Sequence, residues 1–98
     1  MNTINSTTRP GLVFFYSERS GSSRRVEGFL AQVLQRRRNH GTFKLYRVAQ
    51  EARPDLAERF AVETTPTLVV VEGKQVRARL AHPRGCRDIE RFLSPWLQ

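Results

Sequence analysis

Apolar residues recur along this chain with two different spacings, one typical of strands and the other of helices. Residues 12–16 (LVFFY) and 67–72 (TLVVVE) are nearly continuous apolar runs of strand length, which predicts two buried strands. Segment 75–81 alternates apolar and polar residues, and only Gly73 and Lys74 separate it from the second run. This short connection predicts an antiparallel hairpin.

A helix is predicted after the first strand. Its apolar stripe, with spacings of 3, 1, 3 and 1 residues, consists of Val26, Phe29, Leu30, Val33 and Leu34. At its start, N-cap oxygens are offered by Ser20, Ser22 and Ser23. Its last turn is expected to contain Arg36, Arg37 and Arg38, where the helix dipole favours cations, and Gly41 supplies a stop.

One residue inside this predicted helix is unusual. Gly28 costs about 1 kcal/mol relative to alanine in a helix interior. A glycine kept at such a position usually marks close packing against a neighbouring element. We therefore expect Gly28 to lie at a tight contact.

Three further elements complete the pattern. Residues 43–48 (FKLYRV) alternate and predict a strand, and Pro54 is well placed to begin a short helix over residues 55–62. A last helical stripe, which Pro95 should end near Ser94, contains Ile89, Phe92, Leu93, Trp96 and Leu97.

The predicted order is β-α-β-α-β-β-α. A β-α-β unit implies a parallel pair with a right-handed crossover, and the hairpin implies an antiparallel pair. The sequence therefore predicts an α/β domain with a mixed four-stranded sheet flanked by helices on both faces. We expect a polar tail over residues 1–10 and a single domain over residues 11–98.

Composition narrows the function classes. The chain has 98 residues and one cysteine, so an internal disulfide and a cysteine-based metal cage are excluded, and we expect no metal or cofactor. No apolar run is long enough to span a membrane. The first eight residues (MNTINSTT) lack the basic start and apolar core of a secretory signal, so we expect a cytoplasmic protein.

The net charge is +8, from 17 Lys and Arg against 9 Asp and Glu. Such a balance favours acidic partners, including nucleic acid. Arg77 and Arg79 share one strand face and are candidates for a basic stripe. No aromatic residues are interleaved with them, although proteins that bind single-stranded nucleic acid usually have such residues. We therefore expect nucleic acid less than a protein as the partner.

Two segments resemble the thioredoxin family. Residues 12–16 followed by 17–24 (SERSGSSR) resemble the thioredoxin strand that leads into a Trp-Cys-Gly-Pro-Cys-Lys loop and the active-site helix. Residues 64–68 (TTPTL) resemble the segment that carries the family's cis-proline, here Pro66. The resemblance covers about residues 11–97 and implies a thioredoxin-like fold that lacks the family's N-terminal strand and helix.

The chain departs from the family at the residues that carry its chemistry. Ser20 and Ser23 stand where the family has two cysteines, and Ser22 replaces the intervening proline. Disulfide exchange needs a thiolate, which a serine hydroxyl cannot supply. Three further residues depart from the family. Phe14 stands where many members bury an aspartate, Arg19 where they have a tryptophan, and Arg47 where they have a buried lysine. The resemblance thus implies a relative without redox catalysis.

Without the cysteines, the resemblance still implies the family's peptide groove. There the backbone of the cis-proline segment pairs with an extended peptide. We therefore expect a non-catalytic protein-binding or adaptor module whose partner is a protein or an extended peptide. Arg19 would favour an acidic one. The expected groove residues are Arg19, Ser20, Gly21, Ser22, Ser23, Thr65, Pro66 and His82.

Two alternatives stand beside this expectation. Serine is the usual laboratory replacement for cysteine, so the chain is alternatively a Cys-to-Ser form of a thiol-disulfide oxidoreductase. Thiol-disulfide exchange could also be carried out by Cys86 alone. Its place at the start of a predicted helix favours a reactive thiol. A basic nucleic-acid-binding module is the third hypothesis, and the sequence does not indicate an oligomeric state.

Overall fold

A computed structural model describes residues 9–36, 39 and 41–97, and the elements follow the predicted order. The bounds are β1 (Gly11–Tyr16), α1 (Gly21–Gln35), β2 (Lys44–Ala49), α2 (Pro54–Arg59), β3 (Thr67–Glu72), β4 (Gln75–Ala81) and α3 (Cys86–Leu93). The predicted β-α-β-α-β-β-α order is confirmed. Of the predicted tail over residues 1–10, all but Arg9 and Pro10 lie outside the described residues.

The strands form one mixed sheet in the order β2-β1-β3-β4. β1 pairs with β2 in parallel, across the α1 connection, and with β3 in antiparallel. β3 and β4 form the predicted hairpin, with an irregularity at Val70 and Val71. β1 and β3 are therefore the central strands, which explains their continuous apolar sequences.

Alternation along the central strands divides the core between the two faces of the sheet. Leu12 and Phe14 point to one face, where they pack with α1 and α3. Val13 and Phe15 point to the other face, where they pack with Ala57 of α2. Helices thus cover both faces as predicted, but α2 has only six residues and covers much less sheet than α1 does.

The predicted end of α1 was wrong. The helix stops at Gln35, and Arg36 is its C-cap, with an ion pair to Glu90 of α3. Gly41 has the left-handed φ of +81°, but it lies in the following turn rather than at the helix end. Arg37 and Arg38 lie outside the described residues.

The expectation of close packing at Gly28 was also wrong. Gly28 is exposed, and a Cβ atom built on it would meet nothing within 4 Å. The glycine therefore weakens α1 without any packing gain in the described structure.

Candidate functional site

The start of α1 is built by serines. Ser20 is the N-cap, and its Oγ accepts a hydrogen bond from the Ser23 backbone N–H at 3.2 Å. The Oγ atoms of Ser20 and Ser22 are 2.7 Å apart and hydrogen-bonded. Capping of this kind satisfies backbone donors that the first helical turn leaves open, so the predicted capping role of Ser20 is confirmed.

Ser23 lies beneath this turn and is only 2% exposed. Its Oγ accepts a hydrogen bond from the Ser17 backbone N–H at 3.0 Å, which ties the end of β1 to the helix. The Ser17 hydroxyl in turn donates to the Glu51 carboxylate. This hydrogen bond is the main reason that the pKa of Glu51 lies below its ordinary value, with smaller contributions from backbone N–H groups and from Arg19.

A second segment faces the start of α1. The Thr65–Pro66 peptide bond is cis, and Pro66 is fully buried. His82, just after β4, has a positive φ of 50°, and its backbone N–H donates to the Pro66 carbonyl at 2.8 Å. Its Nε2 lies 3.1 Å from the Thr64 Oγ1. His82 therefore fixes the turn that carries Pro66.

Thr65 is half-buried and presents its backbone beside this turn. The pairing between β3 and β4 begins only at Thr67 with Ala81. Within the described part of the chain, neither the N–H nor the C=O of Thr65 takes part in a hydrogen bond. The residue therefore offers one donor and one acceptor to an extended segment.

The two segments enclose a shallow cavity of about 240 Å³. Its lining contains three of the predicted groove residues, Ser22, Pro66 and His82. It also contains Arg25, Val26, Pro83 and Arg84, which the sequence analysis missed. Arg25 could have been found because it lies three residues after Ser22 and so shares its helix face.

The other predicted groove residues do not line this cavity; they are Arg19, Ser20, Gly21, Ser23 and Thr65. Thr65 and Gly21 are sequence neighbours of lining residues, whereas Ser23 faces the Ser17 side of the helix start. Arg19 is exposed and does not line the cavity, and its backbone N–H donates to the Ser17 Oγ. The cations at the cavity are therefore Arg25 and Arg84, not Arg19.

Phe14 and Arg47 are the other two positions at which we expected departures from the family pattern. Phe14 is 1% exposed and stacks on Tyr16 with 5.4 Å between ring centroids, so it is part of the apolar core. Arg47 is on the surface, half-exposed, and pairs with Glu27. The position is not buried as the family comparison implied.

Cys86, the only cysteine, is half-buried at the first position of α3. Its Sγ donates to the Gln32 Oε1 at 3.1 Å and lies 3.6 Å from the Phe29 carbonyl oxygen. Phe29 is nine residues after Ser20, or roughly 13 Å along the helix axis. The thiol is thus packed against α1 and is not part of the serine-lined site.

The proposed basic stripe on β4 is largely occupied by local contacts. Arg77 pairs with Glu72, and the Nε of Arg79 donates to the Phe60 carbonyl at the end of α2. These contacts weigh against a phosphate-binding role for this face. Among the described residues, no group of three or more potential metal ligands comes together. No described helix has the length and apolarity that crossing a membrane requires.

Comparisons with known proteins agree with this architecture. The family model described as Thioredoxin matches residues 1–95 of the chain, a range that begins earlier than the motifs indicated. The expectation that the N-terminal strand and helix of the family are missing falls largely on residues 1–8, outside the described residues. None of the curated protein sequences matches the chain.

Solved structures share the fold at low sequence identity. Trxlp from Edwardsiella tarda matches with a TM-score of 0.79 and 18% identity, over 89% of this chain and 84% of that one. Fasciola hepatica thioredoxin matches with 0.79 and 13%, over 96% and 86%. Thioredoxin-2 of the malaria parasite matches with 0.77 and 17%, over 90% and 84%. The predicted fold class is therefore confirmed.

Proposed function

The chain belongs to the thioredoxin family, and from this premise we propose that it is a redox-inactive member that binds an extended segment of a partner protein without covalent chemistry. Its single cysteine cannot form the intramolecular disulfide on which dithiol exchange depends. Ser20 and Ser23, at the positions of the family's two cysteines, act instead as a helix cap and as an acceptor for the Ser17 N–H.

One observation carries the proposal. Among the described residues, the backbone N–H and C=O of Thr65 have no hydrogen-bond partner, and Thr65 directly precedes Pro66, which lines the cavity. Main-chain pairing at such an edge supplies affinity, and a neighbouring cavity accepts a side chain of the bound segment. We call the Thr65 backbone together with this cavity the Pro66 groove.

The charge at the Pro66 groove favours an acidic segment. Arg25 and Arg84 line the cavity, and its lining contains no Asp or Glu. Both arginines are exposed, and no ion pair involves either of them within the described chain. Carboxylates on a bound segment would therefore raise its association rate and exclude basic competitors.

The experiment is a binding titration with a fluorescein-labelled synthetic peptide in which aspartates alternate with valines. We expect saturable binding that weakens roughly fivefold in Arg84→Glu and in Arg25→Glu. The control is Lys74→Glu, which changes the net charge equally but lies at the hairpin tip, about 20 Å along β3 from Pro66. Equal weakening by all three variants, or equal binding of a lysine version of the peptide, would overturn the proposal.

A second candidate follows from the same family match. A thioredoxin-type oxidoreductase with two Cys-to-Ser changes would show the same fold. Counting alkylatable thiols by intact mass, on denatured and reduced protein from its natural source, separates the two. A count of three thiols would establish the oxidoreductase, and a count of one, which leaves Cys86 alone, supports the binding module.

A further inference from the structure

Three arginines form a row that begins at the Pro66 groove and continues along α3. Arg84 lines the cavity of that groove, and Arg87 and Arg91 follow it along the chain. All three are exposed. Because residues four positions apart lie on one face of a helix, Arg87 and Arg91 are neighbours on α3. We call these three residues the arginine row.

The buried contacts of α3 show which way the row faces. Ile89 and Leu93 are fully buried in the core. A residue two positions away in a helix points about 200° around the axis, so Arg87 and Arg91 lie opposite this buried face. The arginine row therefore faces away from the core of the described chain.

No side-chain carboxylate of the chain forms an ion pair with the row. The chain has 9 Asp or Glu residues, and all of them lie in the described ranges. The two on α3 have other partners: the Asp88 Oδ2 accepts the Arg84 backbone N–H at 2.9 Å, and Glu90 pairs with Arg36 of α1. The remaining ion pairs of the described chain also leave the row out. Its three guanidinium groups are therefore available to carboxylates of a partner.

The length of the row fits a short run of extended polypeptide. From Arg84 to Arg91 the backbone covers at most about 14 Å, given a rise of about 1.5 Å per residue in α3 and about 3.3 Å outside it. An extended segment covers this distance with about four residues. Hydrogen bonds from guanidinium to carboxylate groups are charge-assisted, so acidic residues on such a run would be favoured.

Nucleic acid also carries closely spaced negative charges, but this face is poor in groups that stack on bases. The aromatic residues that follow the row on the chain, Phe92 and Trp96, are half-buried and pack against the core. Stacking on aromatic rings is a main source of affinity for single strands. The observations therefore favour an acidic polypeptide as the occupant.

We propose that the arginine row binds an acidic run at one end of the segment that occupies the Pro66 groove. The row thereby selects partners whose extended segment continues into about four acidic residues on that side. This inference rests on the function proposed above, because Arg84 belongs to both the groove and the row. The row leaves the groove in one direction, so an acidic run reaches it from one end of the bound segment and not from the other.

Binding titrations with the full chain test this directionality. The probes are the fluorescein-labelled aspartate–valine peptide, the same peptide with four glutamates added at its N-terminus or at its C-terminus, and the matching glutamine versions. We expect one glutamate version, and not the other, to bind roughly fivefold more tightly than its glutamine version. An equal gain at both ends would indicate general attraction to a chain of net charge +8 and would overturn the proposal.

Two double variants separate the row from the overall charge. Arg87→Gln combined with Arg91→Gln should abolish the gain from the glutamates. The matched control is Arg59→Gln combined with Lys74→Gln, which lowers the net charge equally at exposed residues that line a different cavity, beside the β3–β4 hairpin. The control should keep the gain, and an equal loss in both would overturn the proposal. Circular dichroism checks that each variant is folded.

The outcomes also separate this inference from the function on which it rests. If the unextended peptide binds and neither glutamate version binds more tightly, the role of the arginine row is refuted while the Pro66 groove stands. If none of the peptides binds, both are refuted. Tighter binding of a single-stranded DNA oligonucleotide than of either glutamate version, lost in the Arg87→Gln and Arg91→Gln double variant, would replace the acidic polypeptide with nucleic acid.

Discussion

The Ser23 hydroxyl accepts the Ser17 backbone N–H at 3.0 Å. This bond joins the end of β1 to the first turn of α1. Ser23 is 2% exposed and Ser17 is half-buried, so this hydrogen bond is partly shielded from water. The serine is therefore a structural part of this loop.

Replacing Ser23 with alanine should lower the free energy of unfolding by about 0.5–1.5 kcal/mol, because the half-buried Ser17 N–H loses its partner. Urea denaturation followed by circular dichroism measures the change. Ser22→Ala is the matched control, since Ser22 is exposed and should cost less than about 0.5 kcal/mol. An equal loss in both variants would mean that the buried hydrogen bond contributes nothing of its own.

Introducing cysteines at positions 20 and 23 should introduce exchange chemistry. We expect the double variant Ser20→Cys with Ser23→Cys to accelerate the reduction of insulin by dithiothreitol, because both thiols would lie in the first turn of α1, where the helix N-terminus stabilises a thiolate. The unchanged chain should not accelerate it. The single variant Ser20→Cys is the control, since it lacks a resolving thiol. Acceleration by the unchanged chain would refute redox inactivity.

Gly28→Ala should stabilise the protein by about 0.5–1 kcal/mol. The added methyl group meets nothing within 4 Å and improves the helix propensity of an exposed position. Gly73→Ala is the opposite case, because Gly73 has a φ of +63° that alanine adopts only with strain, and it should destabilise. Thermal unfolding should show a higher midpoint for Gly28→Ala, and a lower midpoint for Gly73→Ala, than for the unchanged chain. Destabilisation by Gly28→Ala would show a contact that the described residues do not contain.

Stability should fall in acid partly through Glu51. Its pKa is lowered in the folded state, chiefly by the Ser17 hydroxyl. A lowered carboxyl pKa adds stability that is present above the unfolded value of about 4.3 and is lost as the pH falls through the folded value. Urea denaturation from pH 7 to 3 should therefore show Glu51→Gln less stable than the parent at neutral pH, with the difference shrinking below about pH 4.3. A difference independent of pH would contradict this linkage.

The fold could be predicted from sequence because its signals are local. The apolar runs of β1 and β3 and the two-residue hairpin fix the sheet, and periodicity fixes the helices. The end of α1 could not be predicted: apolar and basic residues continue through Leu34 and Arg36, while the helix ends with a hydrogen bond from the Arg36 N–H to Val33.

The site was predicted only in part, for a related reason. Ser22, Pro66 and His82 belong to motifs, so sequence indicated them. Arg25 and Arg84 reach the same cavity only because α1 and the segment after β4 meet in three dimensions. Arg19, next to the motif in sequence, lies outside the cavity lining. Sequence proximity was therefore a poor guide to which cations line the Pro66 groove.

The central claim is that this thioredoxin-family chain holds an acidic extended segment at the Pro66 groove without a covalent bond. It is tested most directly by titrating the ¹⁵N-labelled chain with the aspartate–valine peptide under non-reducing conditions. We predict saturable shifts of the Thr65, His82 and Arg84 amides that persist after Cys86 is alkylated. Shifts confined to other parts of the chain, or a complex that disappears when Cys86 is alkylated, would contradict the claim.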